Sequence, residues 1–229
     1  MDMNCSMARS AIYHILSLCY TYPDEKVLGW IMEGEWIERL KKSLELLTEE
    51  NLKESVVLFE GLLSSRKEES APEMVREYTR LFITAFPHVV APLYGAIYLE
   101  KDGLAYGKST SEVLRFYHKV GFTLKENLND LPDHIAHELE FMGILAGAER
   151  RASGNEKIKL EEIQMNFLSR FLLPWVPTFC GKVADHSRFP FYRNLGNLTM
   201  EFLNFEKNYL GIPEELNSQK EIESETSGG

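Results

Sequence analysis

The sequence predicts an all-α protein built as a single globular domain of about nine or ten helices. Two observations carry this expectation. Apolar residues recur at i, i+3, i+4 and i+7 along most of the chain, and no run alternates apolar with polar residues between turn signals, as a strand would. Boundary signals also mark several of the ends, among them the turn at Tyr22-Pro23-Asp24, Pro87 and Gly121.

At 229 residues the chain is long enough to bury a sizeable core. A formal net charge of -10 argues against nucleic acid as the main partner, because phosphate binding needs a basic surface. Cys5, Cys19 and Cys180 are scattered and form no CxxC pair, which disfavours a zinc ribbon and suits a reducing cytoplasm. The early apolar run AIYHILSLCY is too short to span a bilayer and contains His14. Only Arg9 precedes it as a basic flank, and no cleavage signal follows, so direct membrane insertion is not expected.

Taken in order, Ile12, Ile15, Leu16 and Cys19 mark a first amphipathic core helix, closed by a turn at Tyr22-Pro23-Asp24. Helical patterns follow over residues 25–47, with a break near Gly34, and over 48–63. The polar stretch 64–73 reads as a surface loop whose Ser70, Pro72 and Glu73 form a helix start. The next helix carries Met74, Tyr78, Leu81, Phe82 and Ala85 on one stripe and ends before Pro87. The segment PHVVAPLYGAIYLEKDGLAYG has no stripe, so Tyr94, Tyr98 and Tyr106 are expected in an irregular surface loop. Ser109 and Glu112 form a second capping box, and that helix stops at Gly121. GFTLKENLNDL is a connector long enough to act as a hinge, which allows a monomer or a domain-swapped dimer. A long helix then runs to Gly154, expected as its closing glycine after Arg150 and Arg151. Two more segments follow, broken at LLPWVP, and a last helix covers 190–210. Residues 1–212 are therefore expected as the domain, and 213–229 as an acidic, disordered tail.

The stretch LPDHIAHELEFM opens the long helix and concentrates its titratable groups. At 100° per residue, Ile135, Leu139, Met142 and Ala146 define a buried face with Glu138 on its edge. His134 shares that side, whereas Asp133 and His137 point the opposite way, giving two i,i+4 acid–histidine pairs. A zincin needs HExxH and its inverted form HxxEH, and HIAHE is neither. A metal-dependent hydrolase using His134, His137 and Glu138 nevertheless stands as the alternative reading. No GxSxG and no phosphate-cradling loop is present. Asp133 and Pro132 fit an ordinary first helical turn. That leaves an acid beside Ile135 and Met142 without an obvious reason, since burial there is costly without a partner.

Several of these stretches together resemble the TorD/DmsD/NarJ-type family of cytoplasmic chaperones for molybdoenzymes. EYTRLF is similar to the family's aromatic-x-x-Leu-Phe motif through Tyr78, Leu81 and Phe82. APLYGAIYLEKDGLAYGKSTSEVLRFY resembles its Pro/Tyr loop, LPDHIAHELEFM its Pro-Asp-His motif, and FLLPWVPTFCGKV with FYRNL its C-terminal half. One departure is Asn129, where the family often has Gly.

The resemblance implies a TorD-like helical fold and no catalysis. It also implies binding of the twin-arginine signal peptide, or N-terminal region, of a molybdenum or tungsten oxidoreductase catalytic subunit until cofactor insertion is complete. No resident cofactor is implied, although some members bind guanine nucleotides weakly, which extends the expectation to a molybdopterin nucleotide. The peptide site it suggests comprises Asp133, His134, Glu138, Tyr78, Leu81, Phe82, Pro92, Tyr94 and Met142, with Glu77 as a further acid. Carboxylates suit guanidinium groups, and an aromatic and methionine surface suits an apolar stretch. On this reading Asp133→Ala weakens peptide binding by about 1.5–3 kcal/mol without unfolding the protein.

Overall fold

A computed structural model describes residues 3–47, 50–64, 70–124 and 130–213. Among them are eleven α-helices and no strand. They are α1 (Met3–Cys19), α2 (Glu25–Glu33), α3 (Glu35–Leu47), α4 (Glu50–Ser64), α5 (Ser70–Tyr78), α6 (Ala96–Leu99), α7 (Lys108–Lys119), α8 (Ile135–Glu149), α9 (Gly154–Phe167), α10 (Val176–His186) and α11 (Pro190–Tyr209). Helix α5 runs on as a π-helical turn at Thr79–Ile83, and α9 does the same at Leu168–Leu172. Leaving out the one-turn α6 gives ten, within the expected number. No helix is long and apolar enough to cross a membrane among the described residues.

One continuous core joins these elements, and α8 lies at its centre. Of the side chains of α8, only Ile144 and Ala148 are exposed, so this helix is enclosed on nearly every side rather than half-buried. Its most extensive partner is α1, packed antiparallel against it. Two hydroxyls one heptad apart fix their register: Ser10 donates to the Gly143 carbonyl and Ser17 to the Ala136 carbonyl, each at 2.8 Å. The approach requires glycine, because a Cβ at Gly143 would lie 3.0 Å from the His14 ring and 3.1 Å from the Tyr13 Cβ. The predicted stripe of α1 is borne out, with Ile12, Ile15, Leu16 and Cys19 all buried. The break at Gly34 and the stop at Gly121 are likewise present, both in the left-handed region with φ of 76°.

The fold departs from the sequence expectation at several element ends. Gly154 (φ 56°) begins α9 and does not close α8, which ends at Glu149. α7 starts at Lys108, and its first-turn groups are held by Glu100. One Glu100 carboxylate oxygen accepts from the Ser109 amide at 2.7 Å and from its hydroxyl at 2.8 Å, so the Ser109–Glu112 box is not used. The loop around Tyr94 contains the short α6. The helical stripe from Met74 ends at Ile83, leaving Ala85 outside it. Residues 65–69 of the loop before α5, 125–129 of the connector with Asn129, and 214–229 of the acidic tail lie outside the described residues.

An ion network that sequence reading missed ties four helices together. Arg9, taken from sequence only as a basic flank, is fully buried. It donates to both carboxylate oxygens of Glu206 (2.6 and 2.7 Å), to Glu149 (2.7 Å) and to Gln164 (2.7 Å), and its guanidinium lies 4.0 Å from the centre of the Tyr209 ring. Burial alone would weaken its charge, but Glu206 and Glu149 outweigh this and hold its pKa above the ordinary value. The signal was available: Arg9 lies three and four residues before Ile12 and Tyr13, on the face that α1 buries.

Candidate functional site

The Leu-Pro-Asp-His turn sits where the chain enters α8, and it is knitted to the Pro/Tyr loop by backbone. The Ile135 amide donates to the Leu93 carbonyl at 2.9 Å and the Gly95 amide to the Asp133 carbonyl at 3.0 Å, forming an isolated bridge between Tyr94 and His134. Asp133 and His134 precede α8. His134 is its N-cap, with Nδ1 accepting from the Ala136 amide at 3.1 Å.

Asp133 is almost fully buried and caps a different helix. Its Oδ2 accepts from the Ala96 amide at 2.8 Å, in the first turn of α6, and from the Thr110 hydroxyl at 3.1 Å, in α7. The carboxylate therefore holds the loop and α7 against the start of α8, while its Oδ1 is buried without a partner. Burial raises its pKa, and the two donors oppose that rise.

Glu138 is enclosed completely, and Trp175 explains its place among apolar neighbours: the indole Nε1 donates to Oε2 at 3.2 Å. Burial, reinforced by Asp133, pushes the carboxyl well above the usual carboxylate range, so the neutral acid is the favoured form. Tyr98 stacks on Trp175 at 5.2 Å, and a Cβ on Gly95 would come within 3.0 Å of the indole nitrogen.

The expected i,i+4 acid–histidine pairs do not form. Asp133 and Glu138 instead share one side with Thr110 and Trp175. His134 and His137 adjoin each other, ring centres 5.4 Å apart, on the side of Tyr94 and Asp130. Both imidazoles are held neutral by burial. His134 is pushed down to about 4 against the pull of Asp130, and His137 is lowered against Asp130 and Glu140. Helical-wheel geometry failed here because two of the four residues are not in the helix.

The remaining predicted site residues divide sharply by exposure. Tyr78, Leu81, Phe82 and Met142 are core, with Tyr78 donating to the Tyr20 carbonyl at 2.9 Å. Glu77 is already occupied: burial would raise its pKa, but Arg80 at 2.8 Å through both oxygens and the Arg188 amide at 2.6 Å lower it. Only Pro92 and Tyr94 reach solvent. Tyr94 donates to Asp130 at 3.0 Å, and Asp130, which sequence reading overlooked, is the exposed acid of this corner. Its signal was its place directly before Leu131-Pro132-Asp133.

Glu138 yields a pH prediction. A carboxyl with a raised folded pKa stabilises fully below its unfolded value, near 4.5, and that contribution is lost as pH rises through the folded pKa. Glu138→Gln keeps an acceptor for Trp175 and removes the titration. Thermal unfolding should show parent and variant alike at about pH 4 and the variant more stable at about pH 8. An unchanged difference between the two pH values would contradict a neutral Glu138.

Among the described residues, no group of three or more His, Cys, Asp or Glu is placed to hold a metal ion. The His134 Nδ1 accepts from the Ala136 amide and the Glu138 Oε2 from the Trp175 indole, so both groups already serve packing within the chain. The metal-hydrolase alternative finds no support.

Comparison with known proteins identifies the family. The family model described as nitrate reductase delta subunit matches residues 45–181, more than half of the chain and the whole of the Tyr78 to Trp175 region. The chain belongs to that family. It is similar to the chaperone protein TorD of Vibrio vulnificus, 28% identical over 145 residues covering 63% of this chain and 67% of the relative. The chaperone protein TorD of Photobacterium profundum is 28% identical over 162 residues, covering 69% of this chain and 74% of the relative. A crystal structure of a putative redox enzyme maturation protein from Archaeoglobus fulgidus superposes with a TM-score of 0.57 at 25% identity, covering 85% of this chain and 93% of that one. This family member is accordingly a chaperone of the enzyme-maturation kind and not an enzyme.

Proposed function

We propose that the chain acts in the cytoplasm on a molybdenum or tungsten oxidoreductase catalytic subunit. It binds that subunit's twin-arginine signal peptide or N-terminal region, and so assists cofactor insertion and assembly before export. The observation that carries this reading is the Tyr94–His134 backbone bridge, which sets Tyr94 and the exposed carboxylate of Asp130 together on one rim. An exposed carboxylate beside an aromatic ring suits a guanidinium followed by an apolar stretch.

Pro92, Tyr94 and Asp130 make the direct contacts in this proposal. Asp133, His134 and Glu138 position them from beneath, and Tyr78, Leu81, Phe82 and Met142 form the packed floor. Asp133→Ala therefore strips two donors of their acceptor and costs about 1–3 kcal/mol of stability, so a loss of affinity in that variant is indirect. Asp130→Asn separates the two effects. Calorimetry with the client's signal peptide should show about 1 kcal/mol weaker binding, roughly fivefold, with the melting temperature unchanged. Equal affinity for the parent and Asp130→Asn, and for Tyr94→Ala as well, would remove the site from this corner. Nucleotide binding remains a proposed accessory activity of this chaperone, measured by direct titration.

A further inference from the structure

A cleft beside α7, which includes none of Pro92, Tyr94 and Asp130, has the opposite charge to the Asp130 rim. It encloses about 300 Å³ and is lined by Glu112, Arg115, Phe116, Lys119 and Arg170. Three cations face one acid there, on a chain whose formal net charge is -10. Glu112 is partly occupied by Lys108 at 3.7 Å.

None of the three cations is neutralised within the described protein. Arg115 and Lys119 are exposed one helical turn apart, and neither has an ion-pair or hydrogen-bond partner among the described residues. Arg170 lies across from them with its guanidinium 5.0 Å from the centre of the Phe171 ring and 6.0 Å from that of Phe116. Aromatic faces beneath a guanidinium hold its plane while leaving its N–H donors free for an incoming acceptor. The Phe116 ring is half-buried and gives the cleft an apolar wall, anchored below on Phe141, Phe167 and Phe171.

We propose that this cleft docks an acidic polypeptide segment of the client, distinct from its cationic signal peptide. This rests on the reading of the chain as a maturation chaperone. Charge selects the occupant: an arginine-bearing peptide is repelled here, whereas carboxylates spaced along a chain match cations spaced along α7. The pair of cations one turn apart on α7, with Arg170 facing them across the half-buried Phe116 ring, favours a polypeptide carrying both carboxylates and apolar side chains over a small anion with no apolar part. Opposite charges on two faces let one chaperone hold two parts of one client, and two linked contacts raise overall affinity without tightening either.

The test uses the full chain and a fluorescein-labelled peptide of glutamates with interspersed leucines, read by anisotropy. The parent should bind saturably, with affinity falling as salt rises. R115E/K119E should bind about tenfold or more weakly, with helical circular dichroism and signal-peptide affinity unchanged. R115Q/K119Q should show a smaller loss in the same direction. Two results overturn the proposal: no saturable binding by the parent, or equal binding by the parent and both variants. Displacement of the peptide by equimolar inorganic phosphate also overturns it, since the cleft is then a small-anion site. Signal-peptide affinity, measured separately, reports on the Asp130 rim alone.

Discussion

Arg9→Met should cost about 3–5 kcal/mol of stability, because it strips buried Glu206 of its cation and leaves buried Glu149 with only Lys157 at 3.5 Å. Against a typical total of about 5–15 kcal/mol, that is enough to bring the protein near its unfolding threshold. Urea denaturation followed by circular dichroism measures it directly. The charge origin of the loss has its own check: Arg9→Met combined with Glu149→Met and Glu206→Met should recover part of the stability, since the buried charges go together while Ser6, Tyr13 and Gln164 lose acceptors. A triple variant no better than Arg9→Met would show that shape rather than charge dominates. Acid should weaken the same network. Burial would raise the pKa of Glu149, but Arg9 and its hydrogen-bond donors hold it below the ordinary 4.5, so its contribution is present above that value and lost as pH falls through the folded pKa.

Trp175→Ala carries the second large loss, about 3–5 kcal/mol. The indole is fully buried, stacks on Tyr98, fills the space over Gly95 and is the donor to Glu138. Trp175→Phe keeps most of the ring and loses the N–H, so it should cost clearly less. Circular dichroism is the suitable probe, because Trp30 and Trp36 also contribute to fluorescence. If Phe and Ala cost the same, the Glu138 hydrogen bond rather than ring volume anchors the site. Because Trp175 supports Gly95 and the Tyr94 loop, the proposed peptide-binding role predicts that signal-peptide affinity falls in both variants, and further in Trp175→Ala.

What sequence revealed and what it hid follows the range of each interaction. The stripe of α1, the turn at Gly34 and the stop at Gly121 are local, set by residues within one or two turns, and all are found where expected. Glu138 was visible as an anomaly, an acid beside Ile135 and Met142, but its partner Trp175 lies 37 residues away and no periodicity points to it. Asp133 looked like the cap of its own helix and instead caps α6, again 37 residues distant. Arg9 was misjudged for the same reason, since its carboxylates are 140 and 197 residues away. The site was therefore legible as a set of residue types, while their roles were fixed by non-local pairing.

The placement of α1 has a consequence for synthesis. This helix leaves the ribosome before the α8 that covers it most extensively, and Arg9 has no full set of partners until Glu206 has been made. At about 5–20 residues per second, the apolar stripe of α1 waits roughly 7–30 seconds for α8, and Arg9 roughly 10–40 seconds for Glu206. A protein that shelters the unfinished parts of another is thus born with an unfinished part of its own, and cellular holdases that bind exposed apolar helices should crosslink to α1 in ribosome-bound chains ending before α8.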